Sequence, residues 1–290
     1  MSKIIFSIVF LCFLLTGCVT AFVENKNVQV SEGYIDSTDG IPIFFTKQGN
    51  PNDTSLLFIH CLGCNSKYWE AQSKYFSRKY QIITLDLAGH GLSGTNRHSF
   101  TIEKYAEDVA SVIRKLGLKK PILVGQSFGG AVAVATAVKL PGRIMGVISI
   151  NAFGESAQIP KKDNIEDFLK PFNKNYYKAA YPMIKSRFAP YTDKAIIYQI
   201  SKDIALAPPE IAVNSLRNYF YWMSDKYPII RTKLSAPLFQ MRSIKYSAEP
   251  APPGNIIYID SSGHYLPQEA PEKFNIALER ILEQLIIPEH

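Results

Sequence analysis

The run Gly125-Gln126-Ser127-Phe128-Gly129 constrains what this chain can fold into more than any other segment. It lies between an apolar run, Pro121-Ile122-Leu123-Val124, and a small-residue stretch from Gly130 to Val138 with the composition of a buried helix. A strand that turns sharply into a helix leaves no room for side chains beside the bend, and glycine occupies both flanking positions. That geometry lifts the Ser127 hydroxyl above the sheet edge and aims the N-terminus of the next helix at it. The bland alternative is a chance pair of glycines in a strand–helix turn, and the rest of the chain has to decide between the two.

Further segments follow in an informative order. Leu56-Leu57-Phe58-Ile59 ends in His60-Cys61-Leu62-Gly63, and Gln81 to Leu85 leads into Asp86-Leu87-Ala88-Gly89-His90-Gly91-Leu92-Ser93-Gly94. Near the C-terminus, Ile256-Ile257-Tyr258-Ile259 precedes Ser262-Gly263-His264-Tyr265 and then Pro267-Gln268-Glu269-Ala270-Pro271-Glu272. Together these motifs resemble the α/β-hydrolase superfamily, from about Gly33 to Leu285, and within it the single-domain esterase and lipase-like branch. The resemblance implies an α/β fold: a mostly parallel central sheet flanked by helices, with a helical cap inserted after the sixth strand.

The residue pattern agrees with that expectation. Gly33–Ile35 and Ile43–Thr46 read as an opening hairpin turning at Asp39-Gly40. Tyr68–Ser77 reads as a short helix. Ile102 to Leu116 carries apolar residues at helical spacing, with Thr101 as N-cap and Gly117 at the end. Ile144–Ile150, Pro237–Met241 and Asn255–Ile259 read as further strands and Pro271–Leu285 as the closing helix. Residues 152 to about 234 break the alternation and are rich in aromatics, among them Phe172, Tyr176, Tyr219, Phe220 and Trp222. This is the expected cap. Its aromatics either line an acyl or aryl pocket or pack the cap onto the body, and packing accounts for more than half of them.

The chain of 290 residues suits one domain with an inserted cap, and its 47% apolar content is that of a globular protein. The net charge is +7, with Lys3 the one charged residue before Cys18. The positive residues are dispersed, so nucleic acid is not an expected partner. Neither a cofactor nor a metal is expected. Lys3 followed by the apolar run Ile4–Leu15 has the form of a secretory signal, too short for a membrane span of about 20 residues. Leu15-Thr16-Gly17-Cys18 resembles the bacterial lipobox. The division is then a lipoprotein signal peptide at 1–17, a membrane tether at 18–32 starting from a lipidated Cys18, and the hydrolase-like domain at 33–290. The implied location is the bacterial cell envelope, at the outer membrane or periplasmic face in a Gram-negative host. The alternatives are an ordinary signal peptide and a non-cleaved anchor with an accidental cysteine. Cys61 and Cys64 remain after processing, either as a disulfide or as two buried thiols.

A serine hydroxyl needs an adjacent base to act as a nucleophile. His264 follows a strand, precedes the last helix and comes after Ser127 in chain order, as the hydrolase arrangement requires. By resemblance, the backbone N–H groups of Leu62 and Phe128 form the oxyanion hole. Cys61 stands where the family usually has glycine, which puts that loop's geometry in question. His60 is expected to brace the loop and His90 to sit on one beside the site. The usual position of the triad acid holds Met241-Arg242-Ser243-Ile244-Lys245-Tyr246, with no carboxylate. Asn151, at the end of the sixth strand, is the candidate orienter of His264, with Glu155 and Glu249 as rivals. The implied activity is hydrolysis of a small apolar carboxylic ester through an acyl-enzyme. Two other readings stay open: a carbon–carbon bond hydrolase or lyase, and a non-catalytic binding lipoprotein.

Overall fold

A computed structural model of the chain describes residues 30–153, 159–244, 255–260 and 262–286. The expected lipid attachment at Cys18 and the rivals Glu155 and Glu249 lie outside the described residues. The elements run β1 (Ser31–Asp36), β2 (Pro42–Gln48), β3 (Ser55–Ile59), α1 (Glu70–Phe76), β4 (Gln81–Leu85), α2 (Ile102–Lys115), β5 (Ile122–Gln126), α3 (Phe128–Lys139) and β6 (Gly146–Ile150). The cap follows as α4 (Ile165–Lys174), α5 (Tyr176–Lys185), α6 (Lys194–Ala205), α7 (Pro209–Tyr221) and α8 (Tyr227–Thr232). The chain then returns to β7 (Leu238–Ser243) and β8 (Ile256–Ile259) and closes with α9 (Leu266–Glu269) and α10 (Pro271–Ile286).

The strands form one eight-stranded sheet in the order β1-β2-β4-β3-β5-β6-β7-β8. The β1–β2 and β2–β4 pairs are antiparallel and every other pair is parallel. The hairpin starts earlier than its sequence pattern suggested: Ser31 pairs with Lys47 and Glu32 with Thr46. An edge strand tolerates such polar residues because one of its sides faces water, so the expected tether boundary at residue 32 falls inside β1.

Strand side chains alternate between two cores. Leu57, Ile59, Ile83, Leu85, Leu123 and Val147 pack with α2 and α3 residues such as Tyr105, Val109, Val132 and Val134. Their neighbours Leu56, Phe58, Ile82, Val124, Ile148 and Ile150 pack on the other face with Trp69, Phe76, Phe274, Leu278 and Ile281. Each fully buried Leu, Ile or Phe contributes roughly 1.5–3 kcal/mol, so this double burial holds β3, β5 and β6 as a rigid centre. α2 ends as expected: Thr101 accepts from Lys104 N at 3.3 Å, and Gly117, at φ +66°, lets Leu118 N reach Ile113 O at 3.0 Å.

A third core ties the cap to the body. Phe172, Tyr176, Ala180, Ile184, Ile200 and Ile204 of the cap pack with Cys61 and Cys64 at the end of β3 and with Tyr265 beside His264. The cap therefore rests on both loops that carry expected site residues. Trp222–Lys226 winds as a π-helix between α7 and α8, a feature the periodicity did not indicate.

Candidate active site

Ser127 stands where β5, flanked by β3 and β6, passes into α3. Its backbone sits at φ 51° and ψ −118°, a conformation few non-glycine residues adopt. The bend holds because its neighbours interlock. A Cβ on Gly129 would overlap the backbone carbonyls of Ile59 and His60, and one on Gly130 would lie 2.5 Å from Ala152 Cβ. Ser127 N donates to Ile150 O at 2.7 Å and Gly130 N to Ser127 O at 2.9 Å.

The structure brings Ser127 and His264 together: His264 Nε2 lies 3.0 Å from Ser127 Oγ. His264 is buried, and its backbone is held at both ends. Its N–H donates to Arg187 O of the cap at 2.9 Å. Its carbonyl accepts from Asn151 Nδ2 at 3.2 Å and from Gln126 Nε2 at 3.3 Å. Glu269 ties the same loop to the cap. One of its carboxylate oxygens accepts from Tyr265 N at 2.9 Å, while the other accepts from Ala189 N at 2.9 Å and Thr192 Oγ1 at 2.5 Å.

Asn151 does not take the orienting position expected for it. Its amide oxygen accepts from Ser243 N at 2.9 Å. Its Nδ2 donates to Ser243 Oγ at 2.9 Å, to Gly263 O at 3.2 Å and to the His264 carbonyl. Every one of these bonds goes to β7 or to the backbone of the histidine loop, and none to an imidazole nitrogen. The physical reason is the positive φ of Asn151, 47°, which turns the chain at the end of β6 and lays its amide beside β7. Asn151 braces the histidine loop and leaves the ring's orientation to other groups.

Phe128 and Leu62 both line the cavity above Ser127. The Phe128 N–H opens α3, where no intrahelical carbonyl precedes it. Among the described residues, Leu62 N–H donates to no carbonyl or side chain. His60 braces the Leu62 loop as expected: Nδ1 donates to Cys61 O at 2.7 Å, and Nε2 accepts from Leu87 N at 2.9 Å. That pattern requires the neutral ring, and burial pushes the His60 pKa below its ordinary value, against the pull of Asp86. His90, whose ring lies tilted 5.2 Å from that of His60, is pushed down to about 3 by burial and by that second ring.

Most of the cap's share of the cavity wall is apolar, with Phe172, Tyr176, Met183, Ile204, Leu216, Tyr219 and Phe220, and Arg187 is the charged residue on it. The phenol hydroxyls are hydrogen-bonded within the protein, Tyr176 to Ile204 O at 3.2 Å and Tyr219 to Ala152 O at 3.3 Å. Burial pushes the Tyr176 hydroxyl up to about 12. Most other cap aromatics pack against one another or face water, as Phe168 on Phe220 and exposed Tyr191 and Tyr198 do. Gln126, Glu269 and Ser243 were missed as site residues. Both Gln126 and Glu269 lie inside the motifs, Gln126 at an unspecified position and Glu269 at a specified one, but neither motif shows what the side chain bonds to.

The model of the alpha/beta hydrolase fold matches residues 54–193. Protein ABHD8 of Bos taurus is 32% identical over 116 residues, covering 39% of this chain and 27% of that protein. A bifunctional esterase/perhydrolase of Acinetobacter calcoaceticus is 34% identical over 100 residues, covering 34% of this chain and 36% of that one. The chain thus spans about a third or less of the first curated relatives it matches. A thermophilic esterase from Thermogutta terrifontis superposes with a TM-score of 0.74 at 23% identity, over 89% of this chain and 100% of that one. Sheet order, crossover pattern, elbow and superposition agree, and the chain has the α/β-hydrolase fold.

Proposed function

We propose that the chain is a serine hydrolase that cleaves a carboxylic ester with an apolar acyl or alcohol part. The carrying observation is the 3.0 Å approach of His264 Nε2 to Ser127 Oγ at the floor of an apolar cavity. In this reading His264 takes the Ser127 proton as Oγ attacks the ester carbonyl. The oxyanion is received by the N–H groups of Leu62 and Phe128, helped by the positive end of α3. The tetrahedral species collapses, His264 returns the proton to the departing alcohol, and an acyl-serine remains. Water, deprotonated by His264, then attacks that acyl group, and release of the acid restores Ser127. The apolar cap wall supplies binding energy to the hydrocarbon part of the ester. The similarity to an esterase/perhydrolase over part of the chain supports the same class.

The full-length protein should be labelled by a serine-directed fluorophosphonate, and Ser127→Ala should not. Labelling of both forms, or of neither, would remove this reading. We also propose that Cys18 carries the lipid that holds the enzyme at the envelope membrane, on the Leu15-Thr16-Gly17-Cys18 pattern. Wild type expressed in a Gram-negative host should partition with membranes. A mature chain starting elsewhere, without an acyl group by mass spectrometry, would overturn that part.

A further inference from the structure

Cys61 and Cys64 are joined as a disulfide, with their Cα atoms 5.3 Å apart. The residues it encloses are Leu62 and Gly63, so the cross-link spans the turn that presents the Leu62 N–H. That turn closes with a hydrogen bond from Cys64 N to Cys61 O at 3.1 Å, and Gly63 in its third position has φ +75°. A type II turn needs such a glycine there. The surroundings are tight. A Cβ on Gly63 would lie 2.7 Å from Ile204 Cγ2 of α6, and both cysteines are buried against Ile204, Ile200 and Tyr265.

We propose that the Cys61–Cys64 disulfide is a positioning element of the oxyanion site, and that a dithiol reductant reversibly lowers turnover through it. The proposal rests on the serine hydrolase reading. An oxyanion donor is useful only if it is already in place when charge develops. Without the cross-link, the turn bond and the His60 bond to Cys61 O, each worth about 0.5–1.5 kcal/mol, and the cap packing are what hold Leu62 N–H. Reduction also adds volume. A disulfide keeps its sulfurs about 2.0 Å apart, whereas non-bonded heavy atoms settle at about 3.5–4.0 Å. In a close-packed wall the extra room comes from opening the turn or pushing back Ile204. Access exists because Cys61 lines the same cavity as Ser127. A dithiol thiolate entering there attacks the Cys61 sulfur, and the Cys64 sulfur leaves as a thiolate and takes up a proton. The second thiol of the reagent then displaces Cys61 as a thiol and closes the reagent's own disulfide. Two electrons pass from the dithiol to the protein, and a disulfide oxidant reverses the exchange.

The test uses the full-length protein and an aryl acetate, before reduction, after reduction by dithiothreitol, and after reoxidation, with thiols counted at each stage. Reduction should lower kcat by about tenfold or more, short of the roughly 10²–10³ lost when an oxyanion donor is removed outright. KM should stay within about twofold, and affinity for a trifluoromethyl ketone, which forms a tetrahedral adduct, should fall in parallel with kcat. Reoxidation should restore both. A Cys61→Ser/Cys64→Ser double variant should match the reduced enzyme and ignore dithiothreitol. Unchanged kcat and ketone affinity in enzyme shown to be reduced would overturn the proposal. So would a loss of kcat accompanied by an equal loss of ground-state binding, which marks general loosening of the fold. An oxidised wild type with neither ester turnover nor phosphonate labelling would remove the hydrolase reading first, and this proposal with it. Active oxidised enzyme indifferent to reduction would remove the disulfide's role alone.

Discussion

Ser127 and His264 meet at 3.0 Å, yet the chain builds the two sides of that contact differently. The serine side is assembled from one strand, one turn and one helix, with glycines whose absent side chains let the backbones close up. The histidine side is a loop held from outside. Its restraints come from Gln126 on β5, Asn151 after β6, and Arg187 and Ala189 of the cap, with sequence separations up to 138 residues. Ser127 is thus fixed by the rigid body, while His264 is fixed partly by the cap. Any cap movement reaches His264 through Arg187 O and through the Glu269 carboxylate.

The largest effect should come from breaking the contact itself. Ser127→Ala or His264→Ala should lower kcat for a short aryl ester by roughly 10³ or more, and the double variant should be little worse than either single one. Additive losses in the double variant would show that the two residues do not act as a unit, and the two sides would no longer share one site.

Substitution at Asn151 probes the histidine side alone. From the sequence, Asn151→Asp should keep or raise activity by supplying a carboxylate to the imidazole. The geometry reverses that expectation. The Asn151 Nδ2 faces the carbonyls of Gly263 and His264 and the Ser243 hydroxyl. A carboxylate there sets oxygen against carbonyl oxygen and leaves those acceptors unpaired in a buried place. The cost is about 1–3 kcal/mol of stability, with an accompanying loss of kcat of about tenfold or more. An Asn151→Asp enzyme as stable and active as wild type would restore the orienter role. Glu269→Ala should follow with a smaller loss. It frees the backbone donors of Tyr265 and Ala189 and loosens the cap's hold on the loop, so KM should rise along with a fall in kcat. Wild-type KM in a folded Glu269→Ala variant would show that the cap and His264 are uncoupled.

This contrast also accounts for what was readable in advance. The elbow was legible because its chemistry is contiguous and its glycines have steric reasons that composition exposes. The sheet was legible because each strand is an apolar run bounded by turn residues, and α2 because its cap, period and terminal Gly117 agree. His264 was legible through chain order. What holds it was not. Asn151, Gln126 and Glu269 act through bonds to backbone carbonyls and N–H groups more than a hundred residues away or across the cap, and a backbone group leaves no residue-type signature. The role of Asn151 was misjudged for the same reason: its place at a strand end was visible, but its positive φ, which decides where the amide points, was not.

The smallest predicted effect concerns the serine side and its buried imidazoles. His60 and His90 brace the loops that flank the elbow, and both are held neutral by burial, His90 with its pKa pushed down to about 3 from an ordinary 6.5. The unfolded chain therefore binds more protons than the folded one once the pH drops toward 6.5, so stability rises with pH across that window. The contribution is fully present above about 6.5 and declines as the pH falls toward 3. Between pH 7 and pH 6 the loss should be on the order of 1 kcal/mol or less for each histidine, a fall of a few degrees in Tm. His90→Gln should flatten the dependence if the folded state tolerates the amide beside Ala88 O, which the neutral ring contacts at 3.0 Å. A Tm that holds constant or rises from pH 7 to pH 5.5 would mean that these rings are charged in the folded protein. His60 could not then accept the Leu87 N–H, and the bracing of the Leu62 loop would need another source.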